Sequence, residues 1–236
     1  MLAVSVNAVT VILGSILGML LNKRLKEEYT KTIIACMGIC TMVIGITGPT
    51  GSGKTTFLDV IAEHGGIILD CDAIYHHLLQ TDENMLRAIE ARFPGTVESG
   101  SLNRKKLGAI VFADDTALQD LNAITHASVK SEVLTQLQLH KGKLIAIDAI
   151  GLFEGDLAYL CDVTVAITAP EEVRITRIMA RDGISREYAA SRVAAQHPAE
   201  WFSARCDHTL ENSSTPAAFR TQCLAFLHTF GIIKAE

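Results

Sequence analysis

Short runs of hydrophobic residues recur along the chain, and segments with helical spacing of apolar residues separate them. Continuous apolar runs of this length are typical of strands that are buried on both faces of a parallel sheet. The runs that predict strands cover residues 43–47, 67–72, 144–148, 162–168 and 208–212. This alternation of strand and helix patterns predicts an α/β domain with a parallel sheet.

Three segments outside these runs predict helices. Residues 84–93 and 103–140 show helical spacing without a strand pattern, so we predict a helical insertion from about residue 73 to about residue 142. Residues 171–196 form another helical stretch after the fourth run. A last helix is expected to begin near Thr215 and Pro216, because proline is favoured in the first turn of a helix.

The N-terminal 41 residues differ from the rest. Residues 1–21 carry no charge, and the basic residues Lys23, Arg24 and Lys26 follow. A charge-free helix of about 20 residues is long enough to span a bilayer, with the basic residues on the cytoplasmic side. In a second interpretation, residues 1–41 are an upstream fragment joined by gene fusion or by a misassigned start. Both interpretations stay open, and we expect a cytoplasmic protein with residues 1–21 as a candidate membrane tether.

Composition and charge exclude several classes of protein. Hydrophobic residues make up 49% of the 236 positions and charged residues 20%, which excludes an intrinsically disordered chain. The net charge of −5 provides no general basic field, so we expect no nucleic-acid partner. The six cysteines form no C-x-x-C pair, which favours reduced thiols over a disulfide framework or a zinc site.

The segment GPTGSGKT, from Gly48 to Thr55, fits the phosphate-loop pattern G-x-x-x-x-G-K-[ST] between a predicted strand and a predicted helix. Its glycines let backbone N–H groups turn toward phosphates, and the helix N-terminus favours the same anion. Lys54 is expected to reach the β- and γ-phosphates of ATP, and the Thr55 hydroxyl to bind Mg²⁺. The predicted nucleotide-binding residues of the loop are Thr50, Gly51, Ser52, Gly53, Lys54 and Thr55.

Acidic residues end two of the predicted strands. Asp70 and Asp72 close the second run, where alternation along a strand places both on one side. Because the carboxyl ends of parallel strands face the ligand crevice, one could take a proton from an acceptor hydroxyl and the other could order Mg²⁺. Alternatively, Asp72 caps the following helix. Asp148 closes the third run and is expected to hold the water shell of Mg²⁺.

Two arginines stand out in the helical stretch 171–196. Arg177 and Arg181 are four positions apart and therefore share one helix face. Guanidinium groups suit the phosphates of a nucleotide better than lysines do, because each presents a planar fork of donors. The alternative is a solvated helix face whose arginines pair with neighbouring acids such as Glu171, Glu172 and Asp182.

Together these motifs resemble the dephospho-CoA kinase family, from residue 42 to about residue 230. The resemblance rests on VIGITGPTGSGKTT, ILDCDAIYHHLL, SLNRKKLGAIVF, LNAITHASVK, IDAIGLFEG, RITRIMARDGIS, RVAAQ and CDHTLENS. It implies a phosphate-loop kinase domain over residues 42–236, with a five-stranded parallel core, a helical acceptor-side domain and a lid over about residues 177–200. The implied reaction is the ATP-dependent phosphorylation of the ribose 3′-hydroxyl of dephospho-CoA.

The resemblance also implies roles for single residues. Asp72 is expected to be the catalytic base on the 3′-hydroxyl. Arg177 is expected to lie in the lid over ATP, with Arg181 close behind, and to act as a catalytic residue that stabilises charge on the transferred phosphoryl group together with Lys54 and Mg²⁺. Asn212 is expected on the adenine side. The chain departs from the family pattern on the acceptor side, namely at Tyr75 and His76, at residues 149–152 and after His126.

Other interpretations compete with this one. Residues 1–46 resemble the start of an uncharacterised bacterial membrane-protein family, which overlaps the first kinase strand at residues 43–46. A phosphate-loop kinase for nucleosides or nucleotides would share the loop but not the acceptor. A membrane-tethered nucleotide-binding protein is a further alternative, whereas the sequence lacks the N-K-x-D motif of a GTPase switch.

Overall fold

A five-stranded parallel sheet forms the centre of the computed structural model, which describes residues 41–232. In sequence order the strands are β1 (Met42–Thr47), β2 (Ile67–Asp70), β3 (Val97–Glu98), β4 (Ser101–Leu102), β5 (Leu144–Asp148), β6 (Val163–Thr168) and β7 (His208–Glu211). The sheet order is β2-β5-β1-β6-β7, with every neighbouring pair parallel. This confirms the predicted α/β class and places β1 in the middle of the sheet.

Helices cover both faces of the sheet. They are α1 (Lys54–Glu63), α2 (Cys71–Thr81), α3 (Glu83–Arg92), α4 (Arg104–Val111), α5 (Asp115–Leu139), α6 (Glu171–Asp182), α7 (Arg186–Ala194), α8 (Ala199–Ser203) and α9 (Pro216–Thr229). Thr215 accepts a hydrogen bond from the Ala218 N–H and so caps α9, as expected.

Successive side chains of β1 enter two different cores. Val43 packs with Ile147 and residues of α2 to α5, whereas Ile44 and Ile46 pack with Phe57 of α1 and with α9. Because both faces of the strand are buried, every position favours an apolar residue or a small one. This burial explains why β1 is visible in the sequence as a continuous apolar run.

The second strand is shorter than predicted, because Asp70 ends it and α2 begins at Cys71. The Asp70 carboxylate accepts hydrogen bonds from the N–H groups of Asp72 (2.9 Å) and Ala73 (3.0 Å). Asp70, not Asp72, is therefore the helix cap. The prediction that strand alternation turns both acids to one side is wrong, because Asp72 lies in the first turn of a helix.

The segment between β2 and β5 is mostly helical, but it contains a hairpin that the sequence pattern did not reveal. Strands β3 and β4 pair antiparallel, with Val97 opposite Leu102. The turn residues Ser99 and Gly100 have φ values of 51° and 79°, as a two-residue hairpin turn of type I′ requires. Strands of two residues are too short to show alternation.

The predicted continuous helical stretch over residues 171–196 is two helices. Gly183 adopts a left-handed conformation (φ 65°) and ends α6, with its N–H donating to the Met179 carbonyl at 2.9 Å. Ser185 then caps α7 by accepting from the Tyr188 N–H.

The N-terminal predictions lie largely outside the described residues. These predictions are the candidate span over residues 1–21, the apolar helix and the extension as far as residue 40. Within residues 41–232, no helix is both long and apolar enough to cross a membrane.

Candidate active site

The phosphate loop connects the end of β1 to the start of α1, as its motif requires. Gly51 and Gly53 have φ values of 81° and 98°, a region that favours glycine. A Cβ atom at Gly53 would collide with Nδ2 of Asn212, so the position has no room for a side chain. The loop is therefore held tightly against β7's C-terminal end, where Asn212 follows the strand.

The Lys54 ammonium donates to the carbonyl of Gly48 at 3.0 Å, across the loop. Burial lowers the pKa of Lys54, while the carboxylates of Asp148, Asp72 and Asp70 act in the opposite direction. The structure thus brings the predicted lysine and the three predicted acids into one electrostatic cluster. Such a cluster is typical of a site that binds a highly charged ligand.

Asp148 is the acid most affected by this environment. Burial raises the pKa of Asp148 to about 6; Lys54 opposes this rise, and Asp70 and Asp72 add to it. Asp70 lies directly opposite Asp148 in the register of β2 and β5. The Oδ1 atom of Asp148 is buried and, within residues 41–232, has no hydrogen-bond partner.

These groups fit a magnesium ion that also binds substrate phosphates. A buried carboxylate oxygen without a partner, and the Thr55 hydroxyl in the first turn of α1, are the hard oxygen donors that Mg²⁺ prefers. Residues 41–232 contain no group of three or more His, Cys, Asp or Glu side chains arranged to hold a metal. The protein alone therefore provides few ligands, as is usual when nucleotide phosphates complete the coordination.

A cavity of about 270 Å³ adjoins the acid cluster. Asp72 lies at its edge, and its other walls come from α2, α5 and the loop after β5. The residues of α5 that line it are Leu121, Asn122, Thr125, His126 and Val129. Their spacing of three and four positions marks one helix face, which is the sequence signal that could have found them.

The two predicted arginines have different environments. Arg177 donates from NH1 to the carbonyls of Gly51 and Ser52 (both 3.3 Å) and from NH2 to Oδ1 of Asn212 (3.0 Å). It therefore binds the carbonyl side of the loop. The Arg181 side chain is 58% exposed and pairs with Asp182 at 2.7 Å. Its positive charge also acts to lower the pKa of Lys54 in the phosphate loop.

Sequence reasoning missed two residues that contact the loop. Arg174 is only 4% exposed and donates from Nε to the Thr50 carbonyl at 3.0 Å. Gln196 bonds both the N–H and the hydroxyl of Thr50. The N–H of Thr50, predicted to bind nucleotide, is thus engaged by a side chain. Arg174 shares a helix face with Arg177, which is a usable signal. Gln196 ends the segment RVAAQ of the family resemblance, but its sequence does not show that it contacts the loop.

The phosphate loop follows the carboxyl end of β1, and residues that follow the carboxyl ends of β2 and β5 line the cavity. Ligands bind at this end of the strands in open α/β sheets. The fold and the site define a phosphate-loop kinase. Sequence comparison then narrows the class: the chain belongs to the dephospho-CoA kinase family, whose family model matches residues 42–217.

Curated relatives agree with this assignment. The dephospho-CoA kinase of Geobacillus kaustophilus is 33% identical over 199 residues, covering 82% of this chain and 99% of the relative. The dephospho-CoA kinase of Anaeromyxobacter dehalogenans is 36% identical over 181 residues, covering 75% of this chain and 86% of the relative. The predicted family is therefore confirmed.

Solved structures share the fold. A crystal structure of a Thermus thermophilus protein superposes with a TM-score of 0.68 at 31% identity, covering 83% of this chain and 100% of that one. A dephospho-CoA kinase from Campylobacter jejuni superposes with a TM-score of 0.58 at 26% identity, covering 80% of this chain and 97% of that one.

Proposed function

We propose that the chain transfers the γ-phosphoryl group of ATP to the ribose 3′-hydroxyl of dephospho-CoA, which gives ADP and coenzyme A in the last step of coenzyme A biosynthesis. The observation that carries this proposal is the position of Asp72. It lies at the edge of the cavity and also acts electrostatically on Lys54 of the phosphate loop. A base in this position is close both to an acceptor in the cavity and to a nucleotide on the phosphate loop.

In the proposed reaction the 3′-oxygen forms a bond to the γ-phosphorus, and the bond from that phosphorus to the bridging oxygen of ADP breaks. Asp72 accepts the hydroxyl proton. Lys54 stabilises negative charge on the phosphoryl group and on the departing ADP. Thr55 and Asp148 are the residues that would hold Mg²⁺, which supplies charge neutralisation when bound.

Other parts of the chain take supporting roles in this proposal. Residues 177–200 act as a lid over ATP, in which Arg177 supports the phosphate loop through the carbonyls of Gly51 and Ser52. Arg181, whose charge acts on Lys54, contributes to binding the nucleotide phosphates. Asn212, which bonds the Ser52 carbonyl, lies on the adenine side. The insertion over residues 73–142 holds the acceptor. We place the kinase domain, residues 42–236, in the cytoplasm, and the tether over residues 1–21 stays a prediction.

The acceptor is the part of the proposal that most needs a test, because residues that depart from the family pattern line the cavity. They are Tyr75, Ala149, Ile150 and Gly151, beside His126. ADP release should be measured with dephospho-CoA against a panel of nucleosides and nucleotides. Turnover with dephospho-CoA, and product bearing a 3′-phosphate, is the expected result. Turnover restricted to a nucleoside would make the chain a nucleoside kinase.

Asp72→Asn tests the assignment of the base. We expect a fall in kcat of roughly 10²- to 10⁴-fold, the usual contribution of a general base, with ATP binding little changed. Asp70→Asn is the matched control, because asparagine caps a helix about as well as aspartate does. An active Asp72→Asn enzyme beside an inactive Asp70→Asn enzyme would exchange the two roles.

A further inference from the structure

Gln196 makes a two-sided contact with the phosphate loop. Its Nε2 donates to the Thr50 hydroxyl at 2.8 Å, and its Oε1 accepts from the Thr50 N–H at 2.9 Å. The two residues are 146 positions apart in the sequence. A side chain just beyond α7 therefore holds both the backbone and the side chain of one loop residue.

Arg174 closes this contact into a ring of three residues. Its Nε donates to the Thr50 carbonyl at 3.0 Å, and its NH2 donates to Oε1 of Gln196 at 3.1 Å. The N–H, the carbonyl and the hydroxyl of Thr50 are thus all bonded within the ring. The bonds of the ring are partly buried, and Arg174 is only 4% exposed. Hydrogen bonds that are partly shielded from water hold their members in place, and losing one member is costly.

The ring requires an amide at position 196. Oε1 accepts from two donors, and Nε2 donates to a hydroxyl. A carboxylate would accept from the same two donors, but it could not donate to Thr50. A methionine of similar length would do neither.

Thr50 directly precedes the glycine that begins the phosphate-binding part of the loop. Fixing all its polar groups fixes the direction in which the backbone enters Gly51. The carbonyl of Gly51 is held in turn by Arg177. The loop N–H groups after Thr50 are therefore preorganised before any nucleotide binds, which lowers the cost of binding.

We infer that Gln196 is a positioning residue for ATP: through Thr50 it holds the phosphate loop in its nucleotide-binding conformation. This inference rests on the proposed function in one respect, namely that dephospho-CoA is the acceptor whose KM is compared with that of ATP. Gln196 acts through the loop, so its loss should weaken nucleotide binding more than acceptor binding.

Gln196→Met in the full chain tests this inference, with Gln138→Met as the matched control, since Gln138 is an exposed glutamine on α5. Both ADP affinity by calorimetric titration and the KM values for ATP and dephospho-CoA should be measured. We expect the ADP Kd and the ATP KM to rise about 5- to 100-fold, because the partly buried donors of Thr50 and Arg174 lose their acceptor. The KM for dephospho-CoA should change by less than about twofold, and Gln138→Met should match wild type.

Gln196→Glu is the second variant, and it protects the test against a misfolded methionine variant. It keeps the acceptor for Arg174 and for the Thr50 N–H, so its loss of ADP affinity should be smaller than that of Gln196→Met. If both variants fold and bind ADP as wild type does, or if only their melting temperature falls, Gln196 has a structural role and the inference is wrong.

Thr50 provides a coupling test. Thr50→Val should lose affinity, because it removes the hydroxyl that accepts a hydrogen bond from Nε2 of Gln196. Gln196→Met should then cost less affinity in the Thr50→Val background than in wild type, because one shared bond is already gone. Strictly additive losses would overturn the inference. ADP titration needs no acceptor, so a wild-type enzyme inactive on dephospho-CoA would contradict the proposed function alone.

Discussion

At the scale of single residues, burial and hydrogen bonding give chemically similar side chains different properties. The Asp70 carboxylate accepts hydrogen bonds from two backbone N–H groups, whereas Asp72 lines the cavity. Asp148 is partly exposed as a residue, but one of its carboxylate oxygens is buried, and this burial raises its pKa to about 6. Asp70 is therefore suited to capping a helix, Asp72 to proton transfer and Asp148 to cation binding.

The pKa of Asp148 predicts how stability depends on pH. Burial raises the folded pKa to about 6, above the usual 3.8, so the folded state binds this proton more tightly than the unfolded state does. The resulting stabilisation is fully present below the unfolded pKa and is lost as pH rises through about 6. Relative to Asp148→Asn, the wild type should lose up to about 3 kcal/mol between about pH 4 and about pH 8.

Urea unfolding of both proteins in magnesium-free buffer, repeated across this pH range, measures the difference. Parallel pH profiles of wild type and Asp148→Asn would show that Asp148 does not titrate abnormally.

Arg177→Lys separates the effect of charge from that of geometry. Lysine keeps the charge but cannot reproduce the guanidinium contacts with the loop carbonyls and Asn212. We expect kcat/KM for ATP to fall about tenfold or more. Arg186→Lys is the control, because Arg186 pairs with Glu172 on the exposed surface. Wild-type kinetics for both Arg177→Lys and Arg177→Ala would reduce this helix face to a solvated one.

At the scale of elements, the phosphate loop depends on its contacts with β7 and α6 as much as on its own glycines. Asn212 donates from Nδ2 to the Ser52 carbonyl at 2.9 Å and is only 4% exposed. Arg177 bonds the same carbonyl from the other element. The loop is therefore a tertiary structure built on a local motif.

Gly53→Ala should disrupt this packing. The new Cβ would collide with Nδ2 of Asn212 at a residue whose φ is 98°. We expect loss of ADP binding in titrations and a lower melting temperature. Gly65→Ala is the control, because Gly65 has a φ of 82° but no atom of the described residues lies within 4 Å of its Cβ position.

Gly65→Ala should lower the free energy of unfolding only by the backbone strain of roughly 1–2 kcal/mol and should leave ADP affinity unchanged. Equal losses of affinity in Gly53→Ala and Gly65→Ala would mean that backbone strain, not the collision with Asn212, decides the outcome.

At the scale of the whole molecule, the sheet order places the reacting parts side by side. The phosphate loop follows β1, and Asp148 ends the neighbouring strand β5. Asp70 ends β2, which pairs with the other side of β5. Lys54, Asp70 and Asp148 therefore come together at the carboxyl ends of the strands, although they are distant in the sequence.

Residues 42–236 should form the active unit. β1 begins at Met42, the family match begins at residue 42, and all proposed site residues lie at or after Thr50. We predict that a chain of residues 42–236 is soluble and releases ADP at the rate of the intact enzyme, whereas the full chain partitions with membranes or aggregates. Fractionation, thermal unfolding and turnover of both proteins test this. A shortened chain that fails to fold beside a soluble, active full chain would contradict it.

The sequence by itself determined the α/β class, the approximate positions of the five strands of the parallel sheet, the phosphate loop and the family. These features depend on neighbours within a few positions, which a pattern can show. Tertiary structure alone decided that one carboxylate oxygen of Asp148 is buried and that Gln196 contacts Thr50. The physical reason is that burial and hydrogen bonding arise where distant segments pack together, and no local periodicity encodes which segments meet.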